Sequence, residues 1–125
     1  MPTPQPAEQA PRTHEVFHFG PYAWNITAAE RIVEGREPDY IRVGKVAALL
    51  WLVHVNEDYA ATVDLAKPLI LAPFADVGNI PIDGWHRIWK ARREGVETLP
   101  AHALTADEEH IVRTHGGDKG PGYYR

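Results

Sequence analysis

The sequence predicts a small α/β domain of the α+β kind, with a mixed sheet and helices packed on it, and three observations support that expectation. Short apolar runs at 68–72, 80–83 and 99–104, bounded by proline, glycine or polar residues, have the length and composition of strands. Residues 85–94 and 105–114 carry helical start and stop signals. The chain has 125 residues, 44% of them apolar, which suffices for one core and is too few for two ordinary domains.

Charge and composition narrow the function classes. A net charge of −4 argues against a protein that coats nucleic acid through bulk electrostatics, and a DNA role ranks last among the readings. The chain has no cysteine, which removes disulfides, thiolate metal sites and cysteine nucleophiles. No apolar run is long enough to cross a bilayer, and Met1 is followed by Pro2, Pro4, Gln5 and Pro6 rather than by a basic and then apolar leader. The expectation is a cytoplasmic protein with no membrane partner.

Residues 1–13 hold four prolines among polar residues and predict a flexible arm outside the domain, which is expected to span 14–114. Glu15-Val16-Phe17-His18-Phe19 alternates as a strand and stops at Gly20-Pro21. His14 and His18 would share a face of it, a pair more often solvated than metal-binding. Residues 25–35 form a helix in this reading, with Thr27 and Glu30 as a capping box, Ile26, Ala29, Ile32 and Val33 on the buried side, and Gly35 as the stop. Residues 38–43 extend. The run 46–53, apolar on every side, predicts a helix beginning near Gly44 that is either deeply buried or shared with a second copy in a homodimer.

Asn56-Glu57-Asp58-Tyr59 is a polar break whose two acids either form a solvated turn or hold a magnesium ion. Residues 68–72 and 80–83 then make a hairpin across a loose 73–79 connection, with Pro81 requiring an edge strand or an unpaired N–H. A helix over 85–94 places Trp85, Ile88, Trp89 and Arg92 on one stripe, with Gly95 as its C′ residue and Lys90, Arg92 and Arg93 near its C-terminus. After a strand at 99–104, Thr105 and Glu108 form a second capping box that opens a helix to about Thr114, and 115–125 reads as a flexible glycine-rich tail.

The candidate site is the junction at 82–87. A helix that opens after Gly84 leaves its first N–H groups without intrahelical partners, and with the positive end of its dipole they attract an anion such as phosphate. Gly84 would admit a ligand oxygen to the backbone, Arg87 would add a two-pronged guanidinium, and His86 would donate or carry a proton. Trp85, at the first turn, would lie beside a bound base.

The run Ile82-Asp83-Gly84-Trp85-His86-Arg87, with 68–72 before it and 95–104 after it, resembles the ParB/sulfiredoxin-like superfamily, whose signature is a Gly-x-His-Arg or Gly-Glu-Arg-Arg type turn. The resemblance covers about 64–113. It implies a small stand-alone member in which Gly84, His86 and Arg87 bind the phosphates of ATP or CTP, with magnesium as a companion ion. The chain departs from the family in three ways. Trp85 stands where sulfiredoxins carry their catalytic cysteine, the partition proteins' second phosphate motif is missing, and there is no room for their DNA-reading helix-turn-helix. If chemistry occurs, the implied class is phosphoryl transfer, with His86 as acid or base and Asp83 helping to place the metal. The competing reading is a non-catalytic regulatory or protein-interaction module.

Overall fold

The computed structural model describes residues 15–119. The described chain is a mixed α+β domain built on two sheets. The first contains β1 (Val16–Phe19), β2 (Tyr22–Asn25) and β7 (Arg113–His115) in the order β1-β2-β7, all antiparallel. The second contains β3 (Asp39–Arg42), β4 (Leu69–Phe74), β5 (Gly78–Asp83) and β6 (Thr98–Ala103) in the order β3-β6-β4-β5, with β4 and β6 parallel and the other pairs antiparallel.

The central strand explains the apolar run at its heart. Leu69 and Leu71 face one core, with Trp85, Ile88 and Leu99, whereas Ile70 and Ala72 face another, with Trp24, Ile26, Ile82 and Val112. A strand buried on both faces has no polar alternation to show, which is why β4 reads as continuous hydrophobicity. Pro81 lies on edge strand β5, where one side of the backbone has no ladder to complete.

The helices depart from expectation in instructive ways. The α1 helix (Ile26–Val33) is capped by Asn25, whose side chain accepts from Ala28 N at 3.0 Å, and not by Thr27. Thr27 Oγ1 accepts from Glu15 N at 3.0 Å instead, tying the helix to the start of β1. The long helix expected from Gly44 is a five-residue α2 (Val43–Ala47) that tightens into a 3-10 turn, Ala48–Leu52. Val46, Ala47 and Leu50 are buried, but Trp51 is 81% exposed, so the segment is buried on one side rather than all round. A short α3 (Glu57–Ala60) follows, its start capped by Asn56.

The α4 helix (Trp85–Glu94) ends at Gly95 in the left-handed region, and α5 (Ala106–Val112) opens on the Thr105–Glu108 capping box. That last helix stops at Val112, and the chain then enters β7. His115 closes that strand and Gly116 bridges to Lys119, so 115–119, read from the sequence as tail, are structured. His14, the remaining terminal arm and 120–125 lie outside the described residues. Among the described residues, no helix is long and apolar enough to cross a membrane.

Candidate functional site

The junction is built as a turn that only glycine fits. Gly84 has φ +106°, which lets the chain leave β5 and enter α4 directly, and a Cβ there would collide with the Leu69 side chain. The space beside its Cα is therefore filled by the protein itself. Glycine is required here by the bend and by packing, which corrects the expectation that it stands open for a ligand oxygen. No side chain caps α4. Its first turn relies on the Ile88 N–H to Gly84 O bond of 3.0 Å.

Arg87 is drawn inward. Only 6% exposed, it donates from Nη1 to Lys67 O at 2.7 Å and Pro68 O at 2.8 Å, and from Nη2 to Asp83 Oδ2 at 3.1 Å. The guanidinium therefore pins the start of β4 to the end of β5. The same contacts give Asp83 a structural role, because its Oδ2 makes it the counter-ion of a largely buried pair.

His86 points toward α3. Its Nε2 accepts from Asn56 N at 3.3 Å, which puts the proton of the neutral ring on Nδ1, and Tyr59 meets it edge-on at 4.9 Å. Burial, then the neighbouring Arg87 charge, then His54, hold its pKa below the ordinary histidine value. Trp85 goes the other way. Its indole lies in the core beside Phe17, 7% exposed, and does not line the cleft, so the expectation of a base-stacking surface is not met. The indole N–H is the single buried side-chain polar atom without a partner among the described residues.

Asp83, Gly84, His86 and Arg87 nonetheless line one cleft of about 310 Å³, together with Tyr59, Asp64 and Lys67. Asp64 accepts from Ala66 N at 2.9 Å and shapes the loop, while exposed Lys67 reaches Glu30 at 3.4 Å. Lys67 is an exposed cation on the cleft's lining that the motif at 82–87 does not include. Its only signal in the sequence was its position next to Pro68 at the start of a buried strand. With Glu15 included, three carboxylates face two cations in this cleft. A bare polyanion is poorly matched to that balance, whereas one carrying its own cation is better matched.

Other expected residues lie elsewhere. Glu57 and Asp58 are exposed at the first turn of α3, and no group of three or more histidine or acidic side chains is placed to hold a metal ion among the described residues. Lys90 donates to Val63 O at 2.8 Å, and Arg93 lies over the Trp89 ring at 5.2 Å, so this end of α4 is partly tied into the fold. A network the sequence reading missed ties the last helix to the neighbouring strands β2 and β7: buried Glu109 accepts from Trp24 Nε1 and from Arg113 Nε, both at 2.8 Å. The four-residue spacing of Glu109 and Arg113, across the end of the last helix, was the available signal.

Set against known proteins, the chain matches no family model, no curated protein and no solved structure.

Proposed function

We propose that this protein is a ligand-binding domain whose cleft at the first turn of α4 takes a small phosphate-bearing molecule, a nucleotide such as ATP or CTP foremost. The observation that carries the reading is the convergence of Lys67, His86 and an uncapped helix start on one cleft of about 310 Å³. Asp83, Gly84, His86 and Arg87 of the turn that resembles the ParB/sulfiredoxin-like superfamily line that cleft. The excess of carboxylates favours the magnesium complex of the nucleotide over the free anion, with Asp64 on the cleft's lining to meet the ion's water shell. Binding without turnover is the simpler form of the proposal. His86 Nε2 accepts from Asn56 N and Asp83 Oδ2 from Arg87 Nη2, so neither atom serves as a base or a metal ligand without giving up that bond.

Calorimetric titration with ATP, CTP, GTP and ADP, each with and without magnesium, tests it. The expected result is saturable binding of at least one nucleotide, strengthened by magnesium and weakened about tenfold by Lys67→Ala. Absence of binding up to ~1 mM, or affinity unchanged in both Lys67→Ala and His86→Ala, overturns it.

A second reading, a non-catalytic interaction module that pairs as a homodimer, is favoured by one observation. Trp51 is 81% exposed, with partly exposed Leu52 beside it. Sedimentation of the wild type against Trp51→Ser separates this reading from the first: a dimer that dissociates in the variant supports it, and a wild-type monomer removes it.

A further inference from the structure

A groove of about 670 Å³ runs between the β3–α2 junction and the C-terminal end of α4, and it shares no residue with the cleft at 84–87. Its rim carries Arg42, Lys45 and Arg92, all exposed, and its floor includes Val43, Ala47 and Val96. Among the described residues none of the three rim cations has a carboxylate partner, whereas Arg36, Arg87 and Arg113 each have one. Glu97 is the one acid lining the groove. On a chain of net charge −4 these three cations make a locally positive surface that attracts an anion.

We propose that this groove docks an acidic peptide segment of a partner protein, with carboxylates meeting Arg42, Lys45 and Arg92 and an aliphatic side chain seated on the apolar floor. Charge complementarity selects an acidic occupant, and the floor selects between classes of polyanion. Single-stranded nucleic acid is commonly held on aromatic faces where its bases stack, and no aromatic side chain lines the groove. An extended peptide alternating acidic and aliphatic residues presents its two faces to the rim and the floor at once. The inference stands apart from nucleotide binding, because the two sites have no residue in common.

Fluorescence anisotropy of a labelled peptide alternating glutamate and leucine, titrated with the full chain, tests it. Saturable binding that weakens with added salt is expected, together with a loss of about tenfold or more in the double variant Lys45→Glu/Arg92→Glu. All three rim residues are exposed, so charge reversal leaves the core untouched, and circular dichroism of the variant checks this. Arg31→Glu, an exposed cation outside the groove, serves as the control and is expected to leave the affinity unchanged. The proposal is overturned by no binding up to ~1 mM, by equal affinity after charge reversal, or by equal affinity for a peptide with serine in place of leucine. Tighter binding of labelled oligothymidylate, lost in the same double variant, also overturns it, in favour of a nucleic-acid surface.

Discussion

Truncating Arg87 to alanine separates a strut from a ligand receptor. The substitution removes three hydrogen bonds, two to the carbonyls of Lys67 and Pro68 and one to Asp83 Oδ2. It leaves the Asp83 carboxylate, 14% exposed, charged and without its counter-ion. Removing one member of a buried pair costs ~3–5 kcal/mol, because the remaining charge keeps its desolvation penalty and loses its partner. Against a total stability of ~5–15 kcal/mol for an ordinary domain, that is a large fraction. At ~4–8 °C per kcal/mol for a domain of about this size, the melting temperature should fall by at least ~12 °C. Tryptophan fluorescence during thermal and urea unfolding measures it directly. Asp83→Asn should be milder, since the amide oxygen still accepts from Nη2, and Arg87→Lys should rescue only in part, since an ammonium does not reproduce the planar fork. If Arg87→Ala unfolds within ~1 kcal/mol of the wild type yet loses nucleotide affinity, the side chain serves a ligand and the structural argument fails.

Two further outcomes follow from the same junction. Gly84→Ala should destabilise by ~2–4 kcal/mol, combining a φ of +106° with a collision against Leu69, and an unchanged denaturation midpoint would show that the bend relaxes freely. The His86 ring, followed by NMR, should titrate below the ordinary histidine value, since burial and Arg87 disfavour its cation. Its folded form then binds fewer protons than the unfolded chain in the window between the two values. The stability it contributes is accordingly complete above the ordinary value and lost as the pH falls through the depressed one, when Nε2 can no longer accept from Asn56 N. A midpoint at or above the ordinary value would remove that contribution.

What was legible in the sequence was local. Gly84 and Gly95 bracket α4 because each ends a regular backbone in a conformation that glycine tolerates, and Thr105 with Glu108 marks α5 through two reciprocal bonds three residues apart. The missing strands were not local. The β2 strand begins directly after Gly20-Pro21, a pair that reads as the end of β1 and is in fact the tip of its hairpin, and β7 is only three residues long and exists because it pairs with β2 from the far end of the chain. Neither partner can be inferred from the other's composition. At 46–53, alanines and leucines favour a long helix, but Val46, Ala47 and Leu50 are buried, Leu49 and Val53 only partly so, and Trp51 and Leu52 are exposed; without burial on the remaining faces propensity alone does not sustain the helix.

The site was legible as a place and misread in its parts, and the reason is electrostatic. A guanidinium at the start of a helix looks, in sequence, like a receptor for an anion, yet the nearest anion is the chain's own: Asp83 precedes Arg87 by four residues, a spacing that lets the two meet across the first turn. Two carbonyls at the start of β4 complete the fork, and a cation with three partners inside the protein has little left to offer a phosphate. Recognition of a ligand in this cleft must therefore fall to the cation that the fold does not consume. Lys67 meets that requirement, because its backbone carbonyl anchors Arg87 while its side chain, exposed and held only by a pairing to Glu30, borders the same cleft. An alanine at 67 keeps the carbonyl that anchors Arg87 and gives up only an exposed side chain with its pairing to Glu30, so a loss of affinity there with an unchanged melting temperature reports on the ligand rather than on the fold.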